Sequence, residues 1–115
     1  MSIKIYLAIP YSFNPAFSHR IACKLSAQLM EKGHIVFSPI SHSHHIADHL
    51  PNELRIDSHW WMQHDLPFIE WADEVHVVNI GEEGSRLITE SKGVMMEIAH
   101  AKKHLKTIKI IDHYD

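Results

Sequence analysis

The chain has a single cysteine, Cys23, among its 115 residues. An internal disulfide is therefore excluded, and a reducing compartment is the simpler expectation. Its neighbours Ile21, Ala22 and Leu25 make it read as a buried helix residue rather than a reactive thiol. No apolar run approaches the roughly 20 residues of a membrane span, and Met1 to Tyr6 lacks the charged-then-apolar build of a signal peptide. A cytoplasmic protein is expected. Positive charge is not in excess either: the formal net charge is -3. That argues against nucleic acid as the main partner, because a phosphate backbone rewards a basic face. It leaves free nucleosides and nucleotides open, since one small ligand needs few cations. Glycine numbers only four, and there is no internal repeat, low-complexity tract or linker. Residues 1–115 are expected to form one domain.

What is present is the composition of a globular protein, 45% hydrophobic and 22% charged. Ile3 to Ile9 is nearly continuously apolar and ends at Pro10, the pattern of a strand buried on both faces of a parallel sheet. Phe17, Ile21, Leu25 and Leu29 recur every four residues, which predicts a helix from about Pro15 to Lys32, ended by Gly33. A second strand is expected over His34 to Ser38. Ser41 to Asp57 reads as a long loop with one short helix. A helix is expected from Ser58 to Ala72 despite Pro67, then a strand from Glu74 to Ile80. A polar loop over Gly81 to Glu90, a helix over Ser91 to Leu105 and a strand over Thr107 to Ile111 complete the chain.

Alternating strands and helices predict an α/β fold: a Rossmann or flavodoxin-like three-layer sandwich on a mostly parallel sheet of four to five strands. Ligands in such sheets bind beyond the carboxyl ends of the strands. That edge collects Pro10 to Ser12, Pro39 to His45, and Gly81 to Gly93.

Glu97 is the strongest local anomaly. Val94, Ile98 and Ala101 place it within the apolar side of its helix, with no cation at i+4. Spacing alone leaves two readings, a solvated carboxylate at the edge of the stripe or one held in a cleft. Ser91 is a favoured N-cap, and free N–H groups at that helix start favour an anionic or polyhydroxy ligand. Gly93 leaves room for close approach, although an ordinary cap followed by a glycine explains both residues equally well.

Three segments together resemble the nucleoside 2-deoxyribosyltransferases. They are the strand Ile5-Tyr6-Leu7-Ala8, the stretch Asp65-Leu66-Pro67-Phe68-Ile69 before a valine-rich strand, and Ser91-x-Gly93-Val94-x-x-Glu97-x-x-x-Ala101. The opening, and the central Phe37-Ser38-Pro39-Ile40-Ser41-His42, resemble a short bacterial and phage branch. The resemblance implies a cleaved N-glycosidic bond, with Glu97 attacking the anomeric carbon, Tyr6 orienting that carboxylate and Asp65 handling the proton on the leaving base. Ser91 would contact the sugar or its 5′ substituent. By their place beyond the strand ends, rather than by the resemblance, Pro10, Ser12, Gly93 and either His42 or His44 are expected to border the substrate.

The expected partners are a nucleoside or nucleotide and a free nucleobase, with no cofactor. Transferases acting on free nucleosides often carry aspartate where Ser91 stands, and the related 5′-monophosphate N-glycosidases carry serine. Hydrolysis of a deoxynucleoside 5′-monophosphate is thus the near alternative. A nucleotide-binding module without catalysis is a third reading. A metal-dependent hydrolase built on His42, His44, His45, His49 and Asp48 is weaker, because their spacing matches no zinc signature, and no metal is expected. The resemblance also implies a homo-oligomer, with Trp60, Trp61, Trp71 and the C-terminal Tyr114-Asp115 as candidate contacts.

Overall fold

The computed structural model describes residues 2–80 and 84–113. Four strands form one sheet: β1 (Lys4–Ala8), β2 (Ile35–Phe37), β3 (Glu74–Ile80) and β4 (Thr107–His113). Their order is β2-β1-β3-β4, and every pairing is parallel. Tyr6 lies at the centre, opposite Phe37 of β2 and Val75 of β3. Among the described residues six helices accompany the sheet: α1 (Pro15–Glu31), α2 (Pro39–Ser43), α3 (Asn52–Arg55), α4 (Ser58–Trp71), α5 (Gly84–Glu90) and α6 (Lys92–Lys103). A 3-10 turn, Ile46–His49, lies between α2 and α3.

Successive strand residues face opposite sides, and the two sides carry separate cores. Tyr6, Ala8, Val75 and Val77 pack with Ile69 of α4 and with Val94 and Ala101 of α6. Leu7, Ile9, Val78 and Ile80 pack with Ile21 and Ala22 of α1. This is the expected three-layer arrangement with an all-parallel sheet.

Local chemistry sets the helix ends. Asn14 caps α1 by accepting from the Phe17 N–H at 3.2 Å, with Pro15 behind it. The helix closes in a Schellman turn, in which His34 N–H reaches Leu29 O and Gly33 N–H reaches Met30 O. Gly33 sits there at a φ of 93°, which glycine adopts freely. α6 closes with the same pair of bonds, Lys106 to Ala101 and Leu105 to Lys102. Here the left-handed position is held by Leu105, at a φ of 57°.

Three sequence expectations change. Residues 84–90 form a helix instead of a loop, because Ile88 is buried against the core, an apolar anchor in an otherwise polar stretch. Residues 41–57 hold several short turns rather than one helix, after Ser38 caps α2 by accepting from Ser41 N–H at 3.3 Å. Cys23 is exposed: α1 buries Ser18, Ile21 and Ala22, and the next residue rotates away from that face. No described helix is long and apolar enough to cross a membrane. Tyr114 and Asp115 lie outside the described residues.

Candidate active site

A cavity of about 870 Å³ opens at the carboxyl ends of the strands. Ile9 and Pro10 beyond β1, Pro39 beyond β2 and the first turns of α6 contribute to its wall. Glu97 and Asp65 both line it.

Glu97 is on the buried face of α6, in line with Val94 and Ala101, and is 5% exposed. The cleft reading of this carboxylate therefore holds over the solvated one. Tyr6 donates its phenolic hydrogen to Glu97 Oε2. Burial pushes the Glu97 carboxyl up to about 8, the Tyr6 hydrogen bond opposes that rise, and the charge of Asp65 adds to it. Tyr6 itself is fully buried behind Glu97 and does not line the cavity. Burial first, then the Glu97 and Asp65 charges, raise its pKa well above the usual phenol range, so it stays a hydrogen donor.

Asp65 is fixed by α4. Asp57 caps that helix through the Trp60 N–H at 3.1 Å, and Met62, Asp65 and Ile69 share its buried face. One turn beyond Asp65, Phe68 stacks on Phe37 of β2 with ring centroids 3.8 Å apart. Burial raises the Asp65 pKa, while the hydrogen bond from His64 Nδ1 at 2.9 Å and the nearby His42 pull it back. Two carboxyl groups thus share a desolvated site in which burial raises the pKa of each, an arrangement typical of acid–base chemistry.

The remaining sequence candidates separate. Pro10, Ser12, Ser91 and Gly93 all line the cavity. Ser91 caps α6 by accepting from the Val94 N–H at 3.2 Å, which leaves its own O–H to donate. A Cβ on Gly93 would lie 3.6 Å from Met62 Cε, an ordinary contact. The backbone therefore does not require glycine there. The Pro10 carbonyl accepts from Ser18 Oγ at 2.5 Å, which pins the β1–α1 loop over α1.

His42 does not line this cavity. It stacks on His64, with centroids 5.2 Å apart, and borders a second, shallower cleft beside Trp60. The α2 turn after Pro39 carries its ring to the α4 side, onto His64 and beside Phe37. Of the tryptophans, Trp61 lines the main cavity and Trp71 lies beneath the Lys4 ammonium at 5.6 Å.

One neighbour, His64, does not stand out in the sequence although it directly precedes Asp65. His44, expected with His42 to border the substrate, does line the cavity and meets Tyr11 Oη at 2.7 Å. The loop histidines do not gather a metal-ligand set: among the described residues, the one such group comprises Glu70, His100 and His104.

The family described as "Domain of unknown function (DUF1937)" matches residues 3–113. The chain belongs to DUF1937. No curated protein matches it. Among solved structures, this DUF1937 member is similar to a 2-deoxyribosyltransferase from the psychrotolerant bacterium Bacillus psychrosaccharolyticus. The two align with a TM-score of 0.65 at 24% sequence identity, over 95% of this chain and 72% of that chain. At that identity the likeness shows a shared fold.

Proposed function

We propose that this protein is a nucleoside 2-deoxyribosyltransferase. It cleaves the N-glycosidic bond of a 2′-deoxynucleoside through a covalent glycosyl–Glu97 intermediate and passes the sugar to another base. The observation that carries this reading is the Tyr6–Glu97–Asp65 grouping, a buried carboxyl aligned by a phenol beside a second carboxyl at a cavity large enough to admit a nucleoside.

The chemistry follows from the charges. As the C1′–N bond breaks, its electron pair leaves with the base and positive charge grows at C1′. A Glu97 carboxylate stabilises that charge and then forms the C1′–O ester. Asp65, its pKa raised by burial, passes a proton to the departing base nitrogen. An incoming base attacks C1′, returns its proton to Asp65 and frees Glu97. Tyr6 is a positioning residue: it orients Glu97 and does not meet the sugar. Trp61 and Met62 supply an apolar wall for the nucleobase, and the Ser91 hydroxyl faces the sugar's 5′ end.

One observation favours a second reading. Ser91 is accompanied in the cavity wall by Arg55, Arg86 and Lys92. Cations and a hydroxyl donor suit a 5′-phosphate, so water in place of the acceptor base would make the protein a deoxynucleotide N-glycosidase. Incubating the protein with 2′-deoxynucleosides, and separately with their 5′-monophosphates, with and without a free acceptor base, distinguishes the two by product chromatography. Transfer from nucleosides supports the first reading, and hydrolysis confined to monophosphates supports the second. Release of no base from any of them sinks both.

We further infer a homo-oligomer. Phe13 and Ile56 line the cavity yet are 44% and 73% exposed, an apolar rim that a second copy would cover. Light scattering at micromolar concentration tests this. The mass of a single chain, with full activity on dilution, would mean that each subunit closes its own site.

A further inference from the structure

We propose that Glu70 of α4 together with His100 and His104 of α6 binds a divalent transition-metal ion of the zinc class, at the carboxyl end of α6 and outside the cavity lining. His100 and His104 are four residues apart, so their rings share one helix face. Glu70 comes from the neighbouring helix. The three ligand atoms all lie within 4.8 Å of one another. His100 Nε2 is 2.9 Å from Glu70 Oε2, and His104 Nε2 is 3.9 Å from the same oxygen.

A zinc ion held about 2.0–2.2 Å from each donor sets tetrahedral neighbours roughly 3.3–3.5 Å apart. The two observed separations bracket that value, so small side-chain rotations complete the geometry. The donor set also selects the metal. Two imidazoles and one carboxylate suit zinc, copper or nickel, whereas magnesium and calcium prefer oxygen throughout.

The surroundings hold the three ligands in place before any ion arrives. Lys106 Nζ donates to the Glu70 backbone carbonyl at 2.8 Å, tying the end of α4 to the turn that closes α6. The charge of Lys103 also reaches Glu70. The carboxyl end of α6 supplies a partial negative charge that favours a cation. Lys103 is the opposing feature: its ammonium competes for Glu70, but its flexible stem lets it swing into solvent.

The side chains are partly exposed, Glu70 by 49%, His100 by 17% and His104 by 33%, so the remaining coordination position faces water. Along α6, His100 and His104 lie about 4.5 and 10.5 Å beyond Glu97, at 1.5 Å per residue. None of the three ligands lines the cavity. The ion clamps α4 to α6, the two helices that carry Asp65 and Glu97.

The test is calorimetric titration of ZnCl2 into tag-free, chelator-stripped protein, with thermal unfolding followed in parallel. One zinc per chain is expected, together with an unfolding midpoint that rises with zinc concentration. His104→Gln and Glu70→Gln should each weaken binding at least tenfold and flatten that rise, while His45→Gln, in the loop, leaves both unchanged. Circular dichroism verifies that each variant is folded, and exposed Glu70 carries the test should His104→Gln fail to fold. Three results would overturn the proposal: no zinc uptake by the wild-type chain, unaltered affinity in Glu70→Gln, or loss of binding in His45→Gln.

Discussion

Tyr6 of β1 and Glu97 of α6, 91 residues apart in sequence, are joined by a buried hydrogen bond in which the phenol donates and the carboxyl accepts. That bond partly offsets the burial that otherwise drives Glu97 towards its neutral form, so the pair sets when the carboxylate exists.

Replacing Glu97 by Gln should lower turnover by at least ~10³-fold, as expected for loss of a covalent nucleophile, while the fold persists. Stability supplies a second readout. The folded pKa, about 8, lies above the ordinary carboxylate value of 4.5. Across that window the folded protein keeps a proton that the unfolded chain gives up, so wild-type stability falls as the pH rises. Glu97→Gln has no such loss. Its advantage over wild type in urea unfolding should grow from pH 5 to pH 9 by a few kcal/mol, on the order of 1.4 kcal/mol per pKa unit. Parallel stability curves for the two proteins would contradict the raised pKa.

Tyr6→Phe and Asp65→Asn should move the pH profile of kcat/KM in opposite directions. In the wild type the rising limb tracks ionisation of Glu97. Removing the Tyr6 hydroxyl deletes the contact that lowers the Glu97 pKa, so the limb shifts to higher pH. Removing the Asp65 charge deletes one that raises it, so the limb shifts to lower pH. Asp65→Asn should also slow release of those bases that need a proton to leave. Shifts of the same sign in both variants would break the proposed coupling.

Gly93→Ala should leave stability unchanged or improve it by up to about 1 kcal/mol, because the new methyl meets only Met62 at an ordinary distance. The same methyl takes room in the cavity wall. KM should rise about tenfold, equivalent to roughly 1.4 kcal/mol, with kcat little altered. Steady-state kinetics on the best nucleoside substrate checks the split.

Leu105→Gly should stabilise the protein by about 0.5–1 kcal/mol. Leu105 has a φ of 57° and is 92% exposed, so it bears left-handed strain and buries almost nothing in return. Glycine removes most of the strain and gives back part of the gain as extra freedom in the unfolded chain. A higher urea midpoint at unchanged slope is the expected signature.

Much of this arrangement is legible in the sequence because it rests on local periodicity. The apolar run of β1, the four-residue repeat of α1 and the valines of β3 each reveal their element alone. Glu97 stands out because a carboxylate interrupts an apolar helix face, and Asp65 is carried by the family resemblance. Where the answer depends on neighbours, the sequence is silent. Helix α5 has one buried anchor, Ile88, and no stripe to announce it. Cys23 looks buried by composition but lies about one-third of a turn from its helix's buried face. His64 matters through the direction of its ring towards Asp65, and His42 through its stack on His64. Neither direction follows from chain position. The Glu70–His100–His104 group joins two helices, so no single window of sequence contains it.

The strict alternation of β1 has a consequence for how this chain tolerates insertions and deletions. Tyr6 reaches Glu97 only because it has the parity of Ala8, facing α4 and α6, while Leu7 and Ile9 face α1. Losing one residue of β1 ahead of Tyr6 would rotate the phenol into the α1 core unless the sheet slipped its register by the same step. Losing two would keep the facing but displace the phenol along the strand by about 6.6 Å, beyond hydrogen-bonding reach of the carboxyl. The loop after Pro10 has no such constraint on count, so length variation among relatives should accumulate there and be nearly absent from β1.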